Sequence, residues 1–337
     1  SRISTFGFFL LTIYLPFVKK ILFLILYNII AVLLILAAIE LSVRIFSNDI
    51  VTQGTDKNLL QENTYGITPS LKANSEGYVF GKKVEVNENG FLKNSCVLRK
   101  KKRKKVLFFG DSVTMGVGVD SDSSFAARLQ QYYADSLEID NLSLIGYNVN
   151  DYSRIVQGLS QQNKLRPYDE VVFFFCINDN VLCQRANAKV EESCGSMIKD
   201  FFISHSYLYV WRAKSVGDAS ATYYHYDKKY YYDDAALDNL DLRLSQIKSN
   251  LQCKVQVIAL PCEYQMRENY YEQNTPQDVL RIFTKKYHFS FHDCKAFAAQ
   301  TKGDKKDLFL YADGIHFSNA GHRAFSSYLI DNKLLIQ

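Results

Sequence analysis

Val106-Leu107-Phe108-Phe109-Gly110-Asp111-Ser112-Val113-Thr114-Met115-Gly116 sets an apolar run directly against a turn of small residues that contains a serine. Four consecutive apolar side chains before Gly110 read as a strand buried on both faces, as in a parallel sheet. From Ser124 to Ala134 the spacing of Phe125, Ala126, Leu129 and Tyr133 is that of a helix packed by one face. Strand, glycine turn and helix in this order put Ser112 at the carboxyl end of a strand, where open α/β sheets bind ligands. Taken alone, Gly-Asp-Ser is also the composition of an ordinary strand-to-helix turn. A chemical reading requires a second site.

That site lies near the C-terminus, in Leu308-Phe309-Leu310-Tyr311-Ala312-Asp313-Gly314-Ile315-His316-Phe317-Ser318-Asn319-Ala320-Gly321-His322. An Asp and a His three positions apart, before a helix expected over Arg323 to Ile330, let one carboxylate hold an imidazole whose far nitrogen takes a serine proton. His316 is then the base and Asp313 its orienter. The competing reading is a turn in which Asp313 caps the helix and His316 lies on the surface. His322 follows Gly321 inside the expected helix, which assigns it to packing or to support of the site.

Acyl transfer also needs donors for the oxyanion that forms on the attacked carbonyl. Asn141 to Asn148 reads as a short strand ending in Gly146, whose N–H can approach a ligand with no side chain in the way. Val171 to Asn180 reads as a strongly apolar strand ending in polar residues, and Asn178, the first of them, can donate a side-chain N–H. Either residue is also an ordinary turn former.

The joint order is the informative part: Ser112 after one strand, Gly146 after the next, Asn178 after the third, and Asp313 with His316 near the end. Over roughly Val106 to Leu334 the chain resembles the SGNH (GDSL-type) hydrolase family in its four blocks. The resemblance implies a three-layer α/β/α sandwich with a mostly parallel, flavodoxin-like sheet. It implies Ser112 as nucleophile, His316 as base and Asp313 as its partner. The Ser112 N–H, the Gly146 N–H and the Asn178 side chain would form the oxyanion hole. One block departs from the pattern: Cys176-Ile177-Asn178-Asp179 carries Cys where the family has Gly, which narrows the pocket or shifts the Asn178 loop. Cys176 itself reads as a small buried residue at a strand end.

The N-terminus carries an independent signal. Residues 21–39 are apolar apart from Asn28 and uncharged, enough at about 1.5 Å per residue to cross a hydrocarbon core of roughly 30 Å. Residues 1–45 are therefore read as a membrane anchor with one transmembrane helix in contact with lipid. Lys19-Lys20 before it favours a cytoplasmic N-terminus and an extracytoplasmic domain. Phe6 to Val18 contains Pro16 and reads as an interfacial lead-in. A cleaved signal peptide is the rival reading, although the apolar stretch is long for one. The chain opens on Ser1 rather than Met, which leaves room for residues upstream.

Residues 46–105 are polar and turn-rich and read as an extracytoplasmic stalk ordered against a catalytic domain at 106–337. The run Lys100 to Lys105 reads as a solvated approach to the first strand. With no interleaved aromatics and no nucleic-acid fold, nucleic acid is not expected as a partner. Helices are expected at Asp151 to Gln161, Asp238 to Leu251 and Pro276 to Lys286, with a strand at Lys254 to Leu260. The net charge of +5 nearly vanishes without the basic run. The seven cysteines cannot all pair internally, and Cys183 with Cys194 is the closest plausible pair for a bridge, which spacing alone does not settle. None forms Cys-x-x-Cys and the histidines are scattered, so neither metal nor cofactor is expected.

The least regular stretch, about 182–236, reads as a lid-like insertion and includes Trp211, Tyr223-Tyr224-His225-Tyr226 and Tyr230-Tyr231-Tyr232. Such aromatic faces either stack on sugar rings or pack the insertion. The expected function is a serine esterase acting on O-acyl, chiefly O-acetyl, esters of a small molecule or carbohydrate through an acyl-enzyme. The alternatives are an O-acetyltransferase acting on a cell-surface polysaccharide, a lipase or thioesterase, and a non-catalytic glycan-binding or assembly protein.

Overall fold

The computed structural model describes residues 3–47, 49–98, 103–180, 194–267, 272, 275–301 and 303–335. The chain divides into two compact units, Ser1–Asn48 and Asp49–Gln337.

The first unit is a single helix, α1 (Ile3–Phe46), which continues through Pro16 into the stretch read as a lead-in. Its Val18–Phe46 portion is long and apolar enough to cross a membrane. Leu22, Phe23, Leu33 and Leu34 are exposed on its surface. Asn28, the polar residue within the expected span, donates its amide to the Leu24 carbonyl at 2.7 Å, so its polarity is met inside the helix.

The second unit begins with two antiparallel hairpins, β1 (Leu60–Tyr65) with β2 (Thr68–Leu71) and β3 (Glu76–Val79) with β4 (Lys82–Glu85). There follow β5 (Lys104–Phe109), α2 (Ser112–Met115), α3 (Phe125–Tyr132), β6 (Leu137–Asn141), α4 (Val149–Gln161) and β7 (Glu170–Phe175). Three helices come next, α5 (Cys194–His205), α6 (Tyr207–Lys214) and α7 (Ala219–Asp227). The unit closes with α8 (Asp234–Asn250), β8 (Lys254–Ala259), α9 (Pro276–Lys286), β9 (Ser290–Asp293), α10 (Ala296–Gln300) and α11 (Asn319–Asp331).

Strands β5 to β9 form one sheet in the order β6-β5-β7-β8-β9, with every pairing parallel. Alternate side chains of a strand face opposite ways. Leu107 and Phe109 accordingly join one core with α4 and α8, whereas Val106 and Phe108 join another with α3 and α11. The result is a three-layer α/β/α sandwich. The β5-to-β6 connection runs through α3 on one face and the β6-to-β7 connection through α4 on the other. This opens a crevice at the carboxyl ends of β5 and β7, the topological switch point of such sheets.

One expectation shifts and another gains detail. The strand read within Asn141 to Asn148 lies earlier, at Leu137–Asn141, and residues 142–147 form the loop after it. Glu138 and Asp140 disguise the strand because it is the sheet's edge, where alternate residues reach solvent. Leu142 and Leu144 are buried without being strand. Residues 49–98, within the stretch 46–105 read as a stalk ordered against the catalytic domain, fold within the second unit. Leu59, Leu71, Val79 and Val84 enter the same core as Leu107, Tyr147 donates to the Pro69 carbonyl at 2.7 Å and Thr68 to Asp151 at 2.7 Å. A Cβ on Gly158 of α4 would stand 2.6 Å from the Tyr65 ring, so the absent side chain is what lets β1 dock.

Of the basic run, Lys100 to Lys102 lie outside the described residues. Lys104 pairs with Glu170 at 2.6 Å, Lys105 with Glu138 at 2.7 Å and Arg103 with Glu138 at 2.9 Å, so each described cation of the run meets a carboxylate of the sheet. Residues 181–193 of the expected insertion, and with them the Cys183–Cys194 pairing, also lie outside the described residues. From Cys194 onward the insertion is helical.

Candidate active site

The turn after β5 is built by its own small residues. A Cβ at Gly110 would overlap the Thr114 side chain, so only glycine lets α2 start this close to the strand. Asp111 caps α2 by accepting the Val113 N–H at 2.9 Å. Gly116 ends the helix with φ of 82°, a left-handed conformation that suits glycine. Ser112, the first residue of α2, is buried, and its N–H has no acceptor within so short a helix.

The Asp313 loop is shaped by the same carboxylate that faces the imidazole. Leu310 N–H donates to the His316 carbonyl at 2.9 Å, closing the loop at its base. Asp313 Oδ1 accepts the N–H groups of Ile315 at 3.1 Å and His316 at 2.9 Å. His316 Nδ1 lies 3.0 Å from both carboxylate oxygens of Asp313, and His316 Nε2 lies 2.8 Å from Ser112 Oγ. Helix α11 is capped by Ser318, not Asp313. The two most separated blocks of the sequence are thus joined by hydrogen bonds.

Electrostatics reinforce that chain. Burial works against charge on Asp313, but the His316 ring, its hydrogen bond and the Lys214 ammonium outweigh it and hold the carboxyl well below the usual carboxylate range. Burial likewise opposes a charged His316, yet the Asp313 charge and hydrogen bond prevail and raise the imidazole above its ordinary value. With Nδ1–H directed at Asp313, the lone pair on Nε2 faces the serine hydroxyl and can accept its proton.

The other two loops reach the same turn. Leu144 N–H donates to the Gly110 carbonyl at 3.3 Å and Asn141 Nδ2 to the Thr114 carbonyl at 3.2 Å, tying the Gly146 loop to the serine turn. Gly146 has φ of 73° and is exposed, with its left-handed backbone accounting for the residue type. Asn178 sits in the 3-10 turn after β7 and donates to Asp111 Oδ2 at 3.3 Å, while its Oδ1 is buried without a partner. Among the sequence candidates, Ser112, Asp313 and His316 are linked directly, and Asn178 is linked to Asp111, the residue before the serine.

Cys176 is fully buried, and burial, followed by the nearby Asp111 charge, pushes its thiol well above the usual range. Its N–H donates to Asp179 Oδ2 at 2.9 Å. His322 accepts the Phe125 N–H on Nδ1 at 3.1 Å and stacks on the Phe125 ring, and burial lowers its pKa to about 3. It is a neutral packing residue.

Sequence reasoning missed two participants. In sequence Asp111 reads only as part of a turn, yet it is fully buried beside the serine, and burial raises its pKa. Lys214 of α6 bonds Asp313 Oδ2 at 3.1 Å, and nothing in its sequence surroundings marks it.

Residues 108–324 match the GDSL-like Lipase/Acylhydrolase family. The chain belongs to that family. The GDSL chain is accordingly an ester hydrolase. Solved structures similar to it include TesA, at 15% identity and a TM-score of 0.42 over 68% of this chain and 97% of that one. A lipase/acylhydrolase from Enterococcus faecalis is 18% identical, with a TM-score of 0.38 over 68% and 94%. A catalytic mutant of Axe2, an acetylxylan esterase from Geobacillus stearothermophilus, is 16% identical, with a TM-score of 0.40 over 67% and 93%. No curated protein matches the GDSL chain. Its family membership rests on the 108–324 match and not on these distant likenesses.

Proposed function

We propose that the chain is a membrane-anchored serine esterase in which Ser112 attacks the carbonyl carbon of an O-acyl ester. The observation that carries this reading is the run of short contacts from Asp313 through His316 to Ser112, at 3.0 and 2.8 Å. His316 removes the hydroxyl proton as the Ser112 Oγ–carbon bond forms, and the oxyanion is met by the Ser112 and Gly146 N–H groups and the Asn178 amide. Collapse of the tetrahedral intermediate expels the alcohol, which takes the proton from His316 and leaves an acyl-Ser112. Water, activated by the same imidazole, releases the acid.

A short acyl group, acetyl foremost, on a carbohydrate is the substrate class this account favours. A cavity of about 640 Å³ lies on the far side of the triad, lined by Lys214, Asp218, Glu263, Arg267 and Asp313 but by neither Ser112 nor His316. Trp211 and Tyr223, partly exposed on α6 and α7, supply faces on which a sugar ring can stack. A sugar hydroxyl reaching the acyl-enzyme in place of water would turn the same chemistry into acetyl transfer.

The anchor reading rests on the apolar Val18–Phe46 stretch. Lys19-Lys20 at its start favours a domain outside the cytoplasm.

The test is p-nitrophenol release from acetate and longer-chain esters by the detergent-solubilised full chain, alongside S112A, with and without an oligosaccharide acceptor. Turnover that vanishes in S112A supports the serine mechanism, and acetylated sugar replacing free acetate reassigns the chain to transfer. A folded chain with no turnover overturns the reading.

A further inference from the structure

The loop that carries Asp313 is held by more than its own residues. Arg267 grips Asp218, at the start of α7, through two bonds of 2.6 and 2.8 Å, and Glu263 at 2.7 Å. Glu263 N–H in turn donates to the Gly314 carbonyl at 2.8 Å. The α6–α7 turn, the loop after β8 and the Asp313 loop are therefore fastened together, and Lys214, the last residue of α6, is brought to Asp313 Oδ2 at 3.1 Å. Its side chain is only 17% exposed and Asp313's 5%, so the pair is weakly screened.

We propose that Lys214 is a positioning residue of the hydrolytic site, whose ammonium fixes the Asp313 carboxylate and sets the basicity of His316 through it. The proposal rests on the reading of His316 as the base. Asp313 makes His316 harder to deprotonate, and a cation bonded to the same carboxylate offsets part of that effect. The titratable groups facing His316 are Asp313 on its own loop, Asp111 from the turn after β5, Lys214 from α6 and His322 from α11, with Tyr223 of α7 beside Asp313. Among these, Asp313 and Asp111 favour the imidazolium and Lys214 opposes it. A helix outside the α/β/α layers thereby tunes a base inside them, and any displacement of α6 is felt at Ser112 as a change in proton affinity.

Removal of the charge has a defined sign. In K214M the uncompensated carboxylate holds the proton on His316 more tightly, and the acidic limb of the kcat/KM profile moves up by roughly one unit. K214R keeps the charge and keeps the limb within about 0.3 unit of wild type. Lys214 lines the cavity beside Asp313, so water can solvate the carboxylate in K214M; K214Q, which retains a hydrogen-bond donor, serves as the second variant should K214M fold poorly. A merely structural lysine would lower activity equally at every pH. The His316 ring is also titrated by NMR in the histidine-labelled full chain, with H316Q identifying its signal. An upward shift in K214M or K214Q, absent in K214R, supports the proposal whether or not esters are turned over. An imidazole that titrates alike in all variants overturns it, while a shifted imidazole in a chain without turnover would count against the esterase reading alone.

Discussion

His316 Nε2 stands 2.8 Å from Ser112 Oγ although 204 positions separate the two residues. The contact exists because β5 delivers Ser112 to the carboxyl edge of the sheet while the loop before α11 folds back over that edge. Its closest support is Asp313, whose carboxylate accepts both loop N–H groups and the imidazole.

The Asp313→Asn variant keeps the side-chain shape and removes the charge that sets the ring tautomer. kcat for a p-nitrophenyl ester is expected to fall about 10³- to 10⁴-fold with the thermal midpoint little changed. Retention of a tenth or more of wild-type kcat would remove Asp313 from the mechanism.

Asn178→Ala tests the oxyanion site. Loss of one donor is expected to cost about 10² to 10³ in kcat, with KM nearly unchanged because the donor matters most once charge develops on the oxygen. A change confined to KM would make Asn178 a substrate-binding residue instead.

The pH dependence follows from the raised His316 pKa, a net result in which the Asp313 charge overcomes the effect of burial. The neutral ring is the base, so kcat/KM rises with pH through an apparent value above the ordinary histidine value of about 6.5. Stability runs the other way: a raised native pKa stabilises the fold fully below the unfolded value and is lost as pH climbs through the native one. An acidic limb below 6.5 in the wild type would contradict the assignment.

His322 is a base whose native pKa is depressed to about 3 by burial. The unfolded chain binds its proton first, so stability is lost progressively as pH falls from about 6.5 toward 3. His322→Leu leaves the Phe125 N–H without its acceptor and is expected to cost about 1–3 kcal/mol at pH 8. Denaturation curves of the two proteins should converge on acidification; a gap that stays constant with pH would refute the titration.

The hairpins of residues 49–98 are predicted to be integral to the domain. Leu59 is fully buried in the core shared with Leu107, and Leu59→Ala should destabilise by about 2–5 kcal/mol. An unaltered unfolding midpoint would return the segment to the status of a stalk.

Strands β5, β7 and β8 and the Ser112, Asp313 and His316 contacts were legible in the sequence because buried strands are rich in apolar residues and their ends carry turn chemistry, whereas the half-buried edge strand β9 was not. What escaped had weaker local signals. Strand β6 alternates charged and apolar residues at the sheet edge, β1 to β4 are short and polar, and their burial depends on partners such as Gly158 and Tyr147 that lie far along the chain. Lys214 reaches Asp313 across 99 positions, and no local pattern encodes such an ion pair.

Activation of Ser112 by His316 is read out by peptide mapping with mass spectrometry after the folded full chain is treated with a fluorophosphonate. One adduct is expected, on Ser112, formed at neutral pH in the wild type and lost in H316Q. A folded wild-type chain that remains unmodified at Ser112, or labels there equally well without His316, would contradict it.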